Sequence, residues 1–188
     1  MKPLYVVAAA LAATSLWVAA AESVSKLPAP WVVAGKQPAS YQVGIDNLET
    51  VSGKGSKFIR YAQGDNTGWG TLMQQVSAER YRGQRVRFQA KVKTRDVNDW
   101  AGLWMRIDVN DHSAAFYNSR DKPISGTTDW HTRSVVLDVP ADGSVLSFGV
   151  INSGAGQVWI DELSLEPVGK DVPVDAPPAR KMPETPSL

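Results

Sequence analysis

The chain of 188 residues has no cysteine. Disulfides, a thiol nucleophile and thiolate metal centres are therefore excluded. Its two histidines, His112 and His131, leave little material for a histidine-based metal site. Neither sign of charge is in excess: 20 Lys and Arg stand against 19 Asp and Glu, for a net +1. No global field then directs the chain to nucleic acid or to an acidic membrane. No segment sustains the 3.6-residue apolar period of a helix, and no internal repeat is legible. A G-x-S-x-G nucleophile elbow is missing. The GKGSK segment at 53–57 lacks phosphate-loop spacing and precedes a strand pattern rather than a helix. Acids such as Asp108, Asp111, Asp129 and Glu162 are scattered, with no spacing that singles out a catalytic pair. The reading is of a non-enzyme.

What remains is a chain with 43% hydrophobic residues and seven tryptophans, enough for one domain with a substantial core. Residues 1–21 read as a signal peptide. Lys2 precedes an alanine-rich apolar run, and Ala19-Ala20-Ala21 satisfies the small-residue cleavage rule before Glu22. An uncleaved anchor is the alternative. Cleavage implies a periplasmic or secreted protein without stable membrane insertion. Residues 22–30 form a leader and 31–168 the globular domain. Residues 169–188 are proline-rich with few large apolar groups, which predicts a disordered or extended tail.

Within 31–168 almost every signal is of strand. Runs at 41–46, 57–63, 71–76, 85–95, 100–109, 114–118, 130–139, 145–151 and 157–165 are separated by Gly and Asp/Asn clusters. This predicts an all-β antiparallel sandwich or jelly roll of about eight to nine strands. The run WAGLWMRIDV (100–109) is the most informative. Alternation puts Ala101, Leu103, Met105, Ile107 and Val109 on one face, and Trp100, Gly102, Trp104, Arg106 and Asp108 on the other.

The second face has two readings. In one, Trp104, Arg106 and Asp108 form a ligand platform, the indole stacking on a sugar and the charged pair bonding its hydroxyls. In the other they are a structural salt bridge beside a half-buried indole. Gln74, Gln75, Asn118 and Asn152 supply amides that suit sugar hydroxyls where their strands flank Trp104. Only one of Gln74 and Gln75 can share its face, and Gln75 and Asn118 are the selected contacts. Trp130 and Trp159 read as core, while Trp31 and Trp69 border loops and either seal the sandwich ends or touch ligand. The strip Arg87, Lys91, Lys93 and Arg95 either meets an anionic polymer or guards an exposed strand from pairing.

Four segments taken in order, YRGQRVRFQAKVKT (81–94), WAGLWMRID (100–108), KPISGTTDWHTRSVVLDVP (122–140) and GQVWIDELSLEPV (156–168), resemble the galactose-binding-like jelly-roll domains. That group includes several carbohydrate-binding modules. The nearer resemblance is to a bacterial variant found as a small exported protein or appended to AraC-type regulators. No helix-turn-helix segment is legible here, so the regulator context does not carry over. The resemblance implies a concave face where sugars lie. It also implies a structural calcium in many members, with an aspartate of the final strand as a ligand. Asp161 occupies that strand, and Asp46 is the candidate partner. The function expected is non-catalytic binding of a carbohydrate or related polar ligand. The alternative is a protein–protein interaction module without a sugar site.

Overall fold

The computed structural model describes residues 24–177. The signal-peptide reading of 1–21 and the end of the tail lie outside them. Ten strands form: β1 (Val24–Ser25), β2 (Val32–Gly35), β3 (Tyr41–Asp46), β4 (Ser56–Tyr61), β5 (Trp69–Ser77), β6 (Arg85–Val109), β7 (His112–Tyr117), β8 (Ile124–Asp138), β9 (Val145–Ser153) and β10 (Gln157–Val168). All pairings are antiparallel. Two short 3-10 turns are the only helical elements among the described residues. The architecture is the all-β jelly roll that the strand pattern predicts.

Strand β6 organises the fold. The runs at 85–95 and 100–109 look like two strands but are one of 25 residues. Fully extended it would span about 80 Å, roughly twice the width of a domain this size. It must bend, and it does so where its pairing with β8 slips, between Val92 and Ala101. Asp96 there takes a left-handed backbone (φ 54°), and the inward parity changes. Before the bend Val86, Phe88, Ala90 and Val92 enter the core; after it Ala101, Leu103, Met105 and Ile107 do. Such an irregularity re-aims a strand.

The two halves of β6 serve different neighbours. The first pairs with β10 and β8, extending to β4, β3 and β1. The second pairs with β9 and β7, extending to β5 and β2. One core takes side chains from both groups, including Ile59, Leu72, Val135, Leu146, Val150, Val158 and Ile160.

Two readings change. The basic strip of β6 guards no edge, because that half is paired on both sides. Arg87 and Lys93 are instead matched to Glu166 and Glu49. Residues 170–175, given to the tail by composition, dock on the sheet. Arg85 donates to the Lys170 and Val172 carbonyls, and Asp175 exchanges backbone and carboxylate hydrogen bonds with Val136. Those bonds satisfy β8 backbone that β6 does not, which hydrophobicity cannot reveal.

Candidate functional site

The sheet β2-β5-β9-β6-β7 turns its outer face to a cleft of about 820 Å³, within the range of ligand pockets. Register and alternation set what lines it. Trp69 on β5 and Trp100 on β6 both pair with Ser153 on β9. Two residues along, Thr71 and Gly102 flank Ile151; then Met73 and Trp104 flank Gly149; then Gln75 and Arg106 flank Ser147. The same period of two that sends Leu72, Leu103 and Val150 into the core brings this set to the other face.

Trp104 makes the floor. Its indole N–H donates to Thr71 Oγ1 (2.7 Å), and that hydroxyl donates to the Val150 carbonyl (2.9 Å). Trp104 and Thr71 belong to strands on opposite sides of β9, about 10 Å apart. The indole therefore reaches across β9, where residue 149 has no side chain. A Cβ at Gly149 would lie 2.1 Å from the Leu72 carbonyl oxygen and 2.8 Å from Met73 Cα. Glycine thus lets the strands approach and leaves the floor low. Met73, Trp100, Trp104 and Ile151 form an apolar cluster separate from the main core. Trp104 is only 7% exposed, yet it borders the cleft.

The sequence-selected residues divide clearly. Trp104, Arg106, Gln75 and Asn118 all line the cleft. Asp108 does not; it is buried beneath Arg106, accepting from Nε (3.2 Å) and Nη2 (2.9 Å). The Arg106 side chain stays 42% exposed, so Asp108 holds the guanidinium in place rather than meeting ligand itself. The salt bridge of the structural reading is present, and Trp104 and Arg106 border the cleft. Gln75 donates to Ser147 Oγ (3.0 Å). Gln74 faces the other way, beside Trp31 and Phe88, and Asn152 is fully buried, donating to the Gly156 carbonyl.

Two aromatics of the lining are open: Phe116 on β7, 47% exposed, and Trp69 on β5, 38% exposed. Trp69 is seated on Gly35, whose φ of 123° favours glycine and where a Cβ would meet the Trp69 carbonyl at 2.6 Å and its ring at 2.9 Å. Behind it the buried Tyr41 hydroxyl donates to the Gly154 carbonyl (2.8 Å), with the Gly68 carbonyl at 3.1 Å. Burial pushes this phenol up to about 12, so it stays a donor tying together the loops at this end of the cleft. Lys36, Asp99 and Arg120 also reach the lining. Alternation along 100–109 could not find them: Lys36 and Arg120 lie in loops, and Asp99 lies on β6 one residue before that run, at the irregular stretch where parity changes.

Asp46 and Asp161 do not fit the calcium that the resemblance implies. Asp161 Oδ2 accepts from the Thr50 hydroxyl (2.8 Å) and the N–H groups of Val51 (2.8 Å) and Ser52 (2.9 Å), and Oδ1 from the Glu162 N–H (2.8 Å). Burial alone would raise its pKa, but the Ser52, Thr50, Glu162 and Val51 donors outweigh it and hold the carboxyl at about 2. Asp46 accepts from the Leu48 and Glu49 N–H groups and from the Trp159 indole. These donors occupy the oxygens a cation would need. No group of three His, Cys, Asp or Glu able to hold a metal occurs among the described residues. Trp159 is buried as expected, but on the outer face of β10, with the Arg95 guanidinium 4.9 Å over its ring.

No family model matches the chain. A curated relative, the "Uncharacterized HTH-type transcriptional regulator YbfP" of Bacillus subtilis, is 41% identical over 145 residues, 76% of this chain. The chain spans about half (49%) of that relative's length. Among solved structures, the enzymatically active domain of the bacteriophage CBA120 tailspike protein 4 superposes with a TM-score of 0.58 at 12% identity, over 74% of this chain and 20% of its own. A family 16 carbohydrate-binding module gives 0.52 at 13% identity, over 70% and 92%. The xylan-binding CBM22-1 domain of Paenibacillus barcinonensis Xyn10C gives 0.51 at 15%, over 73% and 85%. At these identities the likeness is one of fold. The chain has the jelly-roll fold that these carbohydrate-binding modules share.

Proposed function

We propose that this domain is a non-catalytic binding module for a carbohydrate or related polar ligand, held in the cleft on the β2-β5-β9-β6-β7 face. The observation that carries the reading is the cleft itself: an open indole at Trp69, a flat floor at Trp104, and hydrogen-bonding groups at Gln75, Arg106, Asn118 and Asp99 around one hollow. Sugars present an apolar ring face and a rim of hydroxyls, and this lining matches both. Asp99 is the one carboxylate lining the cleft among the described residues, whereas glycoside hydrolysis generally needs two. The open hollow also favours a ligand over a protein-docking face, which would present a filled, flatter surface. The N-terminal 21 residues support export to the periplasm or exterior, and cell fractionation of the tagged full-length protein tests that part.

The binding reading is tested on a glycan array with matched thermal melts. Wild type is expected to retain a defined set of glycans. Trp69→Ala is expected to lose them while still melting cooperatively. An unchanged array profile for Trp69→Ala would overturn the reading.

A further inference from the structure

The cleft's charge is unbalanced in a way that the whole chain's is not. Lys36, Arg106 and Arg120 line it against Asp99 alone. Arg106 is matched from below by Asp108 (2.9 Å), and Asp99 accepts from the Ser153 hydroxyl (2.6 Å). Lys36 and Arg120 form no ion pair among the described residues. Lys36 feels the Asp65 carboxylate only from beyond ion-pair distance, and a cation without a close ion pair at the rim of a ligand-sized hollow is available to a ligand's charge.

Their placement sharpens the point. Lys36 follows β2, on one edge of the sheet, and its N–H donates to the Trp69 carbonyl (3.1 Å). Arg120 follows β7, on the opposite edge, and its guanidinium lies 5.7 Å over the Trp100 ring. Trp69 and Trp100 share the register position of Ser153. Two cations thus bracket one end of the cleft, across an open indole. Stacking on Trp69 is where a pyranose ring would sit, and a charge carried on that ring would fall between them.

We propose that the cleft takes an anionic saccharide, its ring on Trp69 and its acidic group between Lys36 and Arg120. This rests on the carbohydrate-binding reading above and narrows it. A uronate carboxylate and a sugar sulfate share the required chemistry. Arg120 already covers Trp100, and Phe116 lies farther along the cleft opposite Arg106, so Trp69 provides the stacking surface at this end and Arg120 the fork of donors.

The test is calorimetric titration of the full-length protein with three oligosaccharides of equal length: oligogalacturonate, sulfated galacto-oligosaccharide and neutral galacto-oligosaccharide. At low salt one anionic arm is expected to bind at least about tenfold tighter than the neutral arm, and which arm does so identifies the acid. In 0.5 M NaCl that preference is expected to shrink, as screened charges require. The double variant Lys36→Gln, Arg120→Gln is expected to keep the wild-type melting temperature and bind all three arms alike. Equal affinity of the three arms for wild type would overturn the charge assignment and leave the carbohydrate reading intact. So would a preference that survives in the double variant. Failure of all three arms, together with an empty glycan array, would overturn the carbohydrate reading and this inference with it.

Discussion

Asp161 offers a quantitative test of the structure at the position where a metal was expected. Its carboxylate holds the 50–52 loop through three donors and accepts a fourth hydrogen bond from the Glu162 N–H, and the residue is only 5% exposed. The pKa falls from an ordinary 3.8 to about 2. At about 1.4 kcal/mol per pH unit, that difference contributes about 2 kcal/mol to folding. The sign follows from linkage. A carboxyl depressed in the folded state stabilises fully above its unfolded value, and the contribution is lost as pH falls through the folded value. The window is therefore from about pH 5 down to about pH 2. Asp161→Asn keeps the shape but removes the charge, and turns an amide N–H₂ toward N–H donors. At pH 7 it is expected to lose about 2–3 kcal/mol, equivalent to about 5–10 °C in a domain of this size. Urea denaturation of both proteins at pH 7, 4 and 2 is the assay. The gap between them should narrow to below about 1 kcal/mol at pH 2, since other carboxyls titrate in both alike. A gap that stays constant across the series would refute the account of a charged loop anchor. Melting in chelator and in millimolar calcium should coincide. A rise of several degrees with calcium would show that the Asp161 oxygens bind a cation after all.

Other consequences concern the cleft. Trp104→Phe removes the N–H donated to Thr71 and part of a buried ring, and is expected to cost about 2 kcal/mol. Thr71 keeps the Val150 carbonyl as its acceptor, so a loss of more than about 5 kcal/mol by chemical denaturation would mean that Trp104 supports more than the cleft floor. Gly149→Ala drives a methyl into β5 backbone at 2.1 Å from the Leu72 oxygen. Backbone cannot swing aside as a side chain does, so a destabilisation of about 2 kcal/mol or more is expected from thermal melts. An unchanged melting point would show that β5 and β9 are less closely apposed than described.

Much of this was legible in the sequence because the period of two is strict. The alternation in 100–109 identified the core face and the Trp104–Arg106–Asp108 face. Composition and punctuation identified the strand class. What alternation cannot carry is pairing between distant strands. The choice of Gln75 over Gln74 depends on which way β5 is turned against β9. The continuity of β6 depends on a bend at Asp96, a residue type that reads as a turn. Lys36, Trp69 and Arg120 gather at one end of the cleft only because β2, β5 and β7 flank it in space. Asp46 and Asp161 show the converse failure. The resemblance marked carboxylates in suitable strands, but backbone donors from the 47–55 loop, invisible in side-chain chemistry, fill their oxygens.

The seven tryptophans provide the most direct test of the central claim, because indole N–H resonances report each ring separately. Titrating ¹⁵N-labelled protein with a saccharide that it retains, with assignment by single Trp→Phe variants, locates the ligand without presuming a pose. Shifts are expected at Trp69, Trp100 and Trp104, which line the cleft. Trp130 and Trp159, on the other sheet, should remain still. Shifts confined to Trp130 and Trp159 would place binding elsewhere and contradict the account.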